Sequence, residues 1–443
     1  MNEEELSKAL LDISDFIRSL KINEGISPGE KFDVFFMRED EGSLFLNEEE
    51  SFRYLKSLGL LLTSVNEDLI SRNAVERFLQ DTIFYAVDIQ KKREDIQFEI
   101  RIDQAIKTLR ESLLQKPRTF KIYHPVLGLS YDGLPVKVGN VLFCKFDSTH
   151  KAQFQKSNPV SGDLKKDEAI SYFNKYVEDS EICNKPVGLI EVSSIDIEAA
   201  KYVALKELGI TINVINFLGR QIPYNTYGHC NSSYLFLPGE KHWEVVYTPV
   251  VEKGGKAYCG FGSKVVGPIS DFSFKTLQEA DISKCLEFER IKTLLEKKNK
   301  NRLEQRLISA MNWSGQAFVE ENKELAFLFS AISLEALILF ENNRNELAER
   351  LSTRVAQLLG KNLNARKNIK KKVKELYETR SDIVHDGKYQ VTNAELSLMI
   401  NFAQNCILRI LRDDPFKTMN EKELLDWFDN QSLCPKKEVN KDL

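Results

Sequence analysis

The chain has 443 residues, of which 42% are hydrophobic and 29% charged; this is typical of folded globular protein and excludes a disordered or fibrous chain. Its length predicts two or three domains, because a single core rarely grows beyond about 250–300 residues. The formal net charge of -4 excludes a protein coated in positive charge, so any contact with nucleic acid must come from a local basic patch.

The cysteines and the apolar segments indicate in which cellular compartment the protein is expected. Seven cysteines, an odd number without a C-x-x-C pair, predict free thiols in a reducing compartment and argue against a disulfide frame and structural zinc. We expect no metal and no cofactor. The acidic residues 1–6 lack the pattern of a secretory signal, so we expect a cytoplasmic protein. Residues 325–340 are apolar but contain Ser330, Ser333 and Glu335, and they fall short of the roughly 20 residues of a membrane span. They predict a buried core helix and no membrane partner.

The first part of the chain has the spacing of amphipathic helices. Apolar residues recur at helical intervals over residues 4–20, 48–61, 69–87 and 102–114, and a strand-like run lies at 32–36. We predict a mostly helical N-terminal lobe over residues 1–115, with a short hairpin.

The pattern then changes to β. Strands are predicted at residues 120–123, 136–146, 187–192, 210–215, 234–237 and 243–247, and helices at 167–176 and 195–208. The order strand, helix, strand over 187–215 predicts one βαβ-like unit. The glycine-rich residues 260–264 lack the register of a phosphate-binding loop and predict a hairpin turn. We expect a mixed α/β domain over residues 116–285, with a sensor or regulatory role.

The last third of the chain is helical in pattern. Helices are predicted at residues 286–318, 323–340, 346–359, 365–385, 393–412 and 421–428. In the fifth of these, the apolar residues form one stripe that packs in a bundle. The predicted fold class is therefore α+β and multidomain, with a mixed N-terminal region, an all-α bundle over residues 286–433 and a flexible tail over 434–443.

Arg380 and His385 lie at the end of the fourth predicted helix of this bundle. A histidine can move a proton to or from a ribose oxygen near neutral pH, and a guanidinium offers a rigid fork of donors to a phosphate. Gly387 is a natural residue to end the helix, and the negative end of a helix dipole favours a positive charge there. These two residues are the candidate catalytic pair.

A basic segment leads to this pair. Its cations are Lys361, Arg366, Lys367, Lys370, Lys371, Lys372 and Lys374, and no acidic residue occurs among them until Glu375. Such a track suits a polyphosphate substrate, and Lys367, Lys370, Lys371 and Lys374 are the candidate RNA-binding residues. The alternative is a solvated helix face that keeps the protein soluble, which is about equally favoured by the pattern alone.

Glu335 lies in an otherwise apolar predicted helix. Burying its charge unpaired would be costly, so we expect a cation from a neighbouring helix, with Arg380 as one candidate. A structural ion pair is favoured over a direct role in chemistry, because buried ionic networks are common without catalysis.

Three segments together resemble the Apea-like branch of the HEPN superfamily. They are Phe329-Ser-Ala-Ile-Ser-Leu-Glu-Ala-Leu337, Arg350-Leu-Ser-Thr-Arg-Val-Ala-Gln-Leu-Leu359 and Leu376-Tyr-Glu-Thr-Arg-Ser-Asp-Ile-Val-His-Asp-Gly387. The resemblance implies a helical domain that forms a homodimer, brings two Arg-x4-His motifs face to face and cleaves RNA without a metal, often in defence against phages. The family's arginine and histidine map to Arg380 and His385. Many members carry Asn after the arginine, where this chain has Ser381; Ser381, Glu335 and Asp386 are candidate supporting residues.

The spacing of the pair sets a geometric condition. Five residues along a regular helix turn the second side chain about 140° from the first, at about 100° per residue. Either the helix loosens before His385 or a second copy completes the site, and we favour the dimer. The expected substrate is RNA, with transfer RNA as one choice, and the expected regulator is a phage-derived trigger. The rival interpretation is a non-catalytic module that binds RNA or a protein, with His385 as a packed residue at a helix end.

Overall fold

The computed structural model describes residues 3–20, 34–38, 42–87, 96–150, 152, 186–219, 235–237, 244–251, 257–264, 272–275, 282–340, 346–387 and 390–433. Within these ranges the chain forms 12 α-helices, one 3-10 helix and one four-stranded antiparallel sheet, which confirms the predicted α+β class. The chain divides into two units, Met1–Ile122 with Ile190–Lys206 and Tyr123–Leu189 with Glu207–Leu443. The boundaries predicted near residues 115, 285 and 433 stay predictions.

The first unit begins with a helical core. Its elements are α1 (Glu3–Ser19), β1 (Val34–Arg38), β2 (Gly42–Leu46), α2 (Glu48–Ser64), α3 (Arg72–Val87) and α4 (Ile96–Leu113). Helix α2 begins with a capping box, in which the Asn47 side chain accepts from the Glu50 N–H and the Glu50 carboxylate accepts from the Asn47 N–H. Apolar side chains from all four helices, among them Phe16, Tyr54 and Ile83, form one buried cluster, as their spacing predicts.

The four-stranded sheet has the order β3-β6-β5-β4. Its strands are β3 (Arg118–Pro125), β4 (Val136–Val138), β5 (Val141–Lys145) and β6 (Pro186–Ser194). Strand β5 pairs antiparallel with β4 on one side and with β6 on the other. Gly139, whose φ is +61°, makes the tight turn between β4 and β5, because a positive φ favours glycine. The single strand predicted over residues 136–146 is therefore a hairpin.

A separate two-stranded ribbon corrects the prediction for the glycine-rich segment. Strand β7 (Glu244–Val251) pairs antiparallel with β8 (Ala257–Lys264), so residues 260–264 lie in a strand and the predicted hairpin turn is wrong. Gly260 pairs with Thr248, and Gly262 with Val246.

Eight helices complete the described chain. They are α5 (Ile197–Gly219), α6 (Ile282–Glu296), α7 (Arg302–Val319), α8 (Lys323–Ile338), α9 (Leu347–Leu359), α10 (Leu363–Asp386), α11 (Asn393–Arg412) and α12 (Glu421–Leu433), with a 3-10 turn at Phe416–Thr418 before the last. The single helix predicted over residues 286–318 is two helices, because Asn301 and Glu304 form a capping box that starts α7. The other helices of the predicted all-α region occur where their spacing places them.

Helix α5 shows that the predicted βαβ-like unit is wrong. The strand expected over residues 210–215 is the continuation of the helix. The β-branched residues of this segment locally favour a strand. Tertiary packing instead determines the secondary structure, since Val214 and Ile215 are fully buried as part of the helix. The helix also passes close to α7, since a Cβ added at Gly315 would lie 1.9 Å from the Asn213 carbonyl oxygen.

The C-terminal end of α8 is fixed by two arginines. Arg306 donates to the carbonyls of Ala336 and Leu339 at 2.8 and 2.7 Å, and Arg354 donates to the Ile338 carbonyl at 3.0 Å. These carbonyls have no partner inside the helix, and cations near them also complement the helix dipole. The contacts hold the last turn of α8, which carries Glu335.

No helix in the described ranges is both long and apolar enough to cross a membrane. The helix predicted over residues 167–176 and the tail over 434–443 lie outside the described residues.

Candidate active site

Helix α10 carries the predicted catalytic pair, and both of its ends are defined by specific residues. The Asn362 side chain caps the start by accepting from the Ala365 N–H at 2.9 Å. Gly387 follows the last residue with φ +63°, in the left-handed region that commonly ends a helix. The helix end predicted just after His385 is therefore confirmed.

Arg380 and His385 lie on different faces of α10. Val373, Leu376 and Ile383 are buried, and Arg380 falls between them at helical spacing, so it faces the bundle and is partly buried. His385 is two residues beyond Ile383 and is exposed. The helix is regular through Asp386, so it does not loosen before His385. The first of the two predicted ways for the pair to converge, a loosened helix end, is therefore not seen, and a site completed by a second copy stays a prediction.

Arg380 pairs with Glu335, as the sequence predicts. Arg380 Nε lies 3.1 Å from Glu335 Oε1, and the two side chains are 23% and 21% exposed. Within the described chain, neither of these two buried atoms has a hydrogen-bond partner of good geometry, so the contact is an ion pair rather than an aligned hydrogen bond. Glu335 thus engages the Nε side of the Arg380 guanidinium.

The environment of this ion pair is poorly solvated. Burial raises the pKa of Glu335 above its ordinary value, and the charge of Arg380 offsets only part of the increase. Tyr377 lies one turn before Arg380, whose Cζ is 5.8 Å from the centre of the Tyr377 ring. Burial, followed by the negative charge of Glu335, raises the pKa of Tyr377. The phenol therefore stays protonated and can donate a hydrogen bond.

The other predicted site residues take different positions. Ser381 is half-buried beside Arg380, and the side chain of Asp386 lies outside the described set. In the part of the chain that the structure describes, His385 makes no hydrogen bond, ion pair or ring contact. No contact among the described residues thus brings His385 to Arg380.

The predicted RNA-binding lysines are partly neutralised by residues from outside the basic segment. Glu349, on α9, pairs with Lys370 and lies 3.9 Å from Lys374. These lysines, with the hydrogen bond from Lys370 as the main cause, lower the pKa of Glu349. Lys371 lies 3.9 Å from Glu375, and Lys367 is exposed. The folded charge track is weaker than the sequence suggests.

Sequence reasoning missed Glu349 and Tyr377. Helices α9 and α10 are joined by three residues, 360–362, which indicates an antiparallel pair and places Glu349 opposite residues 370–374. Counting residues along both helices away from this turn would have predicted the contact between Glu349 and Lys370. Tyr377 would have been found from its position three residues before Arg380 on one helix face.

The described residues contain no cluster of three or more histidine, cysteine, aspartate or glutamate side chains that could hold a metal ion. Comparisons with protein-family models, with curated proteins and with solved structures found no match for this chain. Its function is therefore argued from the site itself.

Proposed function

We propose that this protein is a metal-independent endoribonuclease of the HEPN type, with Arg380 and His385 as its catalytic residues. The observation that carries the proposal is the placement of a partly buried, oriented guanidinium and an exposed imidazole near the same helix end. A pair of this kind can act on one phosphodiester when two copies of α10 meet. The HEPN resemblance of residues 329–387 supports the same activity.

The reaction needs only proton transfer and charge stabilisation. His385 accepts the proton of a ribose 2′-hydroxyl, the 2′-oxygen forms a bond to the adjacent phosphorus, and the bond to the 5′-oxygen breaks. The leaving 5′-oxygen takes a proton from water. The Nη groups of Arg380 stabilise the extra negative charge on the phosphoryl oxygens. The products are a 2′,3′-cyclic phosphate and a 5′-hydroxyl.

Cleavage of RNA in EDTA by the purified protein tests the proposal. We expect His385→Ala and Arg380→Ala each to lower the cleavage rate by at least about 100-fold, while Lys422→Ala, an exposed lysine on α12, leaves it unchanged. Thermal denaturation of each variant checks that it is folded. Cleavage by either variant at the rate of the unchanged protein would contradict the assignment, as would activity that EDTA abolishes.

Mixing the two inactive variants tests whether the site is shared. A heterodimer of Arg380→Ala and His385→Ala chains keeps one complete shared site, so random mixing restores about one quarter of the full activity. Sites contained within single protomers give no restoration. Light scattering on the same samples measures whether the chain is a dimer.

The wider role follows from the risk that an active ribonuclease poses to its own cell. We place the nuclease in the last third of the chain and a regulatory role, released by a phage-derived trigger, in the N-terminal region. Sequencing RNA ends after expression of the unchanged protein and of His385→Ala identifies the substrate, including transfer RNA. Identical RNA ends in both samples would contradict the proposal.

One observation favours the rival function. The ion pair with Glu335 gives Arg380 a complete structural reason to be present, so the bundle can bind RNA or a protein without cutting. RNA binding that survives in a protein with no cleavage activity, and that does not change in His385→Ala, would support this second function.

A further inference from the structure

A cleft of about 680 Å³ opens beside the first turn of α10, at the end of the helix away from Arg380. Its walls come from the end of α9, the start of α10, the second half of α11 and the middle of α12. The volume lies within the range of natural ligand sites, roughly 300–1,000 Å³. The cleft therefore has room for a base with its sugar and phosphates.

The cleft is positively charged although the chain as a whole is negative. Four cations line it, namely Lys361, Arg366, Arg409 and Arg412, against one carboxylate in the described lining, Asp413. Arg409 pairs with Asp413, and Arg412 pairs with the buried Glu287. Arg366 donates only to neutral oxygens, the Gly360 carbonyl at 3.2 Å and Gln431 Oε1 at 3.0 Å. Lys361 and Arg366 thus carry positive charge without a carboxylate partner in the described residues.

An aromatic side chain lies beside this charge. Trp427 lines the cleft, and its ring is held edge-on against Phe416 and Phe428, with centroids 5.0 and 5.3 Å apart. A rigid aromatic face next to cations is the combination that binds unpaired nucleotides, because the base stacks while the cations hold the phosphates. The amide nitrogen of Asn405 donates to the Asn401 carbonyl at 2.8 Å, and its Oδ1 adds an acceptor for a base edge.

The cleft is connected to the candidate active site by one helix face. Arg366, Lys370, Lys374 and Tyr377 follow each other at intervals of four and three residues and lead to Arg380. We call the three charged side chains, Arg366, Lys370 and Lys374, the cationic stripe. Arg366 precedes Arg380 by 14 residues, which is about 21 Å along the helix axis. A free mononucleotide is too short to use both ends, whereas an extended strand contacts the cleft, the stripe and Arg380 together.

We infer that the cleft anchors an unpaired nucleotide of single-stranded RNA whose strand continues along the cationic stripe to Arg380. The inference rests on the proposed RNA substrate and adds its form, a strand long enough to span α10. It also assigns Trp427 as the stacking residue and Lys361 with Arg366 as phosphate contacts.

Binding to the full-length His385→Ala protein tests the inference without needing cleavage. The probes are oligouridylates of about 4 and about 16 nucleotides, a duplex of the longer one, and ATP. We expect the long single strand to bind best, and Lys361→Glu to weaken its binding about tenfold. Lys422→Glu, an exposed lysine on α12 outside the cleft, should change it by less than about twofold.

The fluorescence of the three tryptophans locates the bound base. We expect the long oligonucleotide to change the emission of the unchanged chain and of Trp313→Phe, and not that of Trp427→Phe. Equal effects of Lys361→Glu and Lys422→Glu would overturn the inference. So would an oligonucleotide-induced emission change in Trp427→Phe as large as in the unchanged chain, or binding of the duplex or ATP as tight as that of the long strand. Binding as inferred by a protein that never cleaves RNA would instead overturn the proposed nuclease and leave the anchor.

Discussion

The two ends of α10 handle positive charge in opposite ways. At the C-terminal end, Arg380 is partly buried and fixed by Glu335, and the nearby His385 is exposed. At the N-terminal end, Lys361 is exposed and Arg366 has only neutral partners in the described residues. One end offers a guanidinium oriented by a carboxylate, and the other offers positive charge without a carboxylate partner in the described residues. The first suits stabilisation of a developing charge at one point, and the second suits capture of a polyanion.

The difference indicates how stability and function are distributed along the helix. A preorganised group must be held by neighbours, so changing it costs folding energy as well as activity. An exposed cation contributes little to folding and can be changed with an effect on binding alone. Substitution of Arg380 on α10 and of Lys361, in the loop just before α10, therefore separates the effects of the two ends.

The largest stability effect is expected for Arg380→Ala. It removes the partner of a partly buried carboxylate, so we expect the free energy of unfolding to fall by about 1–3 kcal/mol. Lys361→Ala at the other end should stay within about 0.5 kcal/mol. Urea denaturation measures both. In a double-mutant cycle, Glu335→Ala added to Arg380→Ala should cost less than it does alone; strictly additive losses would show that the two charges are not coupled.

Loss of either cap should cost less than loss of the ion pair. We expect Asn362→Ala and Gly387→Ala each to lower the free energy of unfolding by about 1 kcal/mol, the first by removing a hydrogen bond and the second by placing a Cβ at φ +63°. Gly387→Asn, which tolerates this conformation, is the matched control and should lose less. Equal stability of Gly387→Ala and the unchanged protein would mean that this helix end frays already.

These positions also show how far the sequence alone could lead. Local signals sufficed for the end of α10: the stop at Gly387 and the cost of burying Glu335 alone are readable from neighbouring residues. The strand predicted over residues 210–215 failed because the local preference of β-branched residues is weak: Val214 and Ile215 are buried as part of helix α5. The cleft could not be predicted, since Lys361, Arg409 and Trp427 come from segments that only the fold brings together.

The pH dependence of folding should report on Glu335. Its pKa is raised in the folded protein, so the folded state holds this proton more tightly than the unfolded state does. The tighter binding of this proton stabilises the folded state at pH values below the ordinary glutamate pKa. This stabilisation is lost as the pH rises through the raised pKa of Glu335 in the folded protein. We expect Glu335→Gln to flatten the decline in stability over that window, measured by denaturation from about pH 4 to about pH 8. The same slope in both proteins would contradict the raised pKa.

The smallest stability effect is expected for Glu349→Ala. Glu349 contacts Lys370 and Lys374, which lie between the two ends of α10. Glu349 is 46% exposed, so its pairs with Lys370 and Lys374 contribute at most a few tenths of a kcal/mol. RNA on the cationic stripe must compete with this carboxylate. Removing it should tighten binding of the long single strand by about two- to fivefold and increase its salt dependence, because two more lysines can displace counterions. Glu378→Ala, an exposed carboxylate on α10 without an ion pair in the described residues, is the control. Equal tightening by both substitutions would mean that only net charge matters, and the strand would then have no defined path along α10.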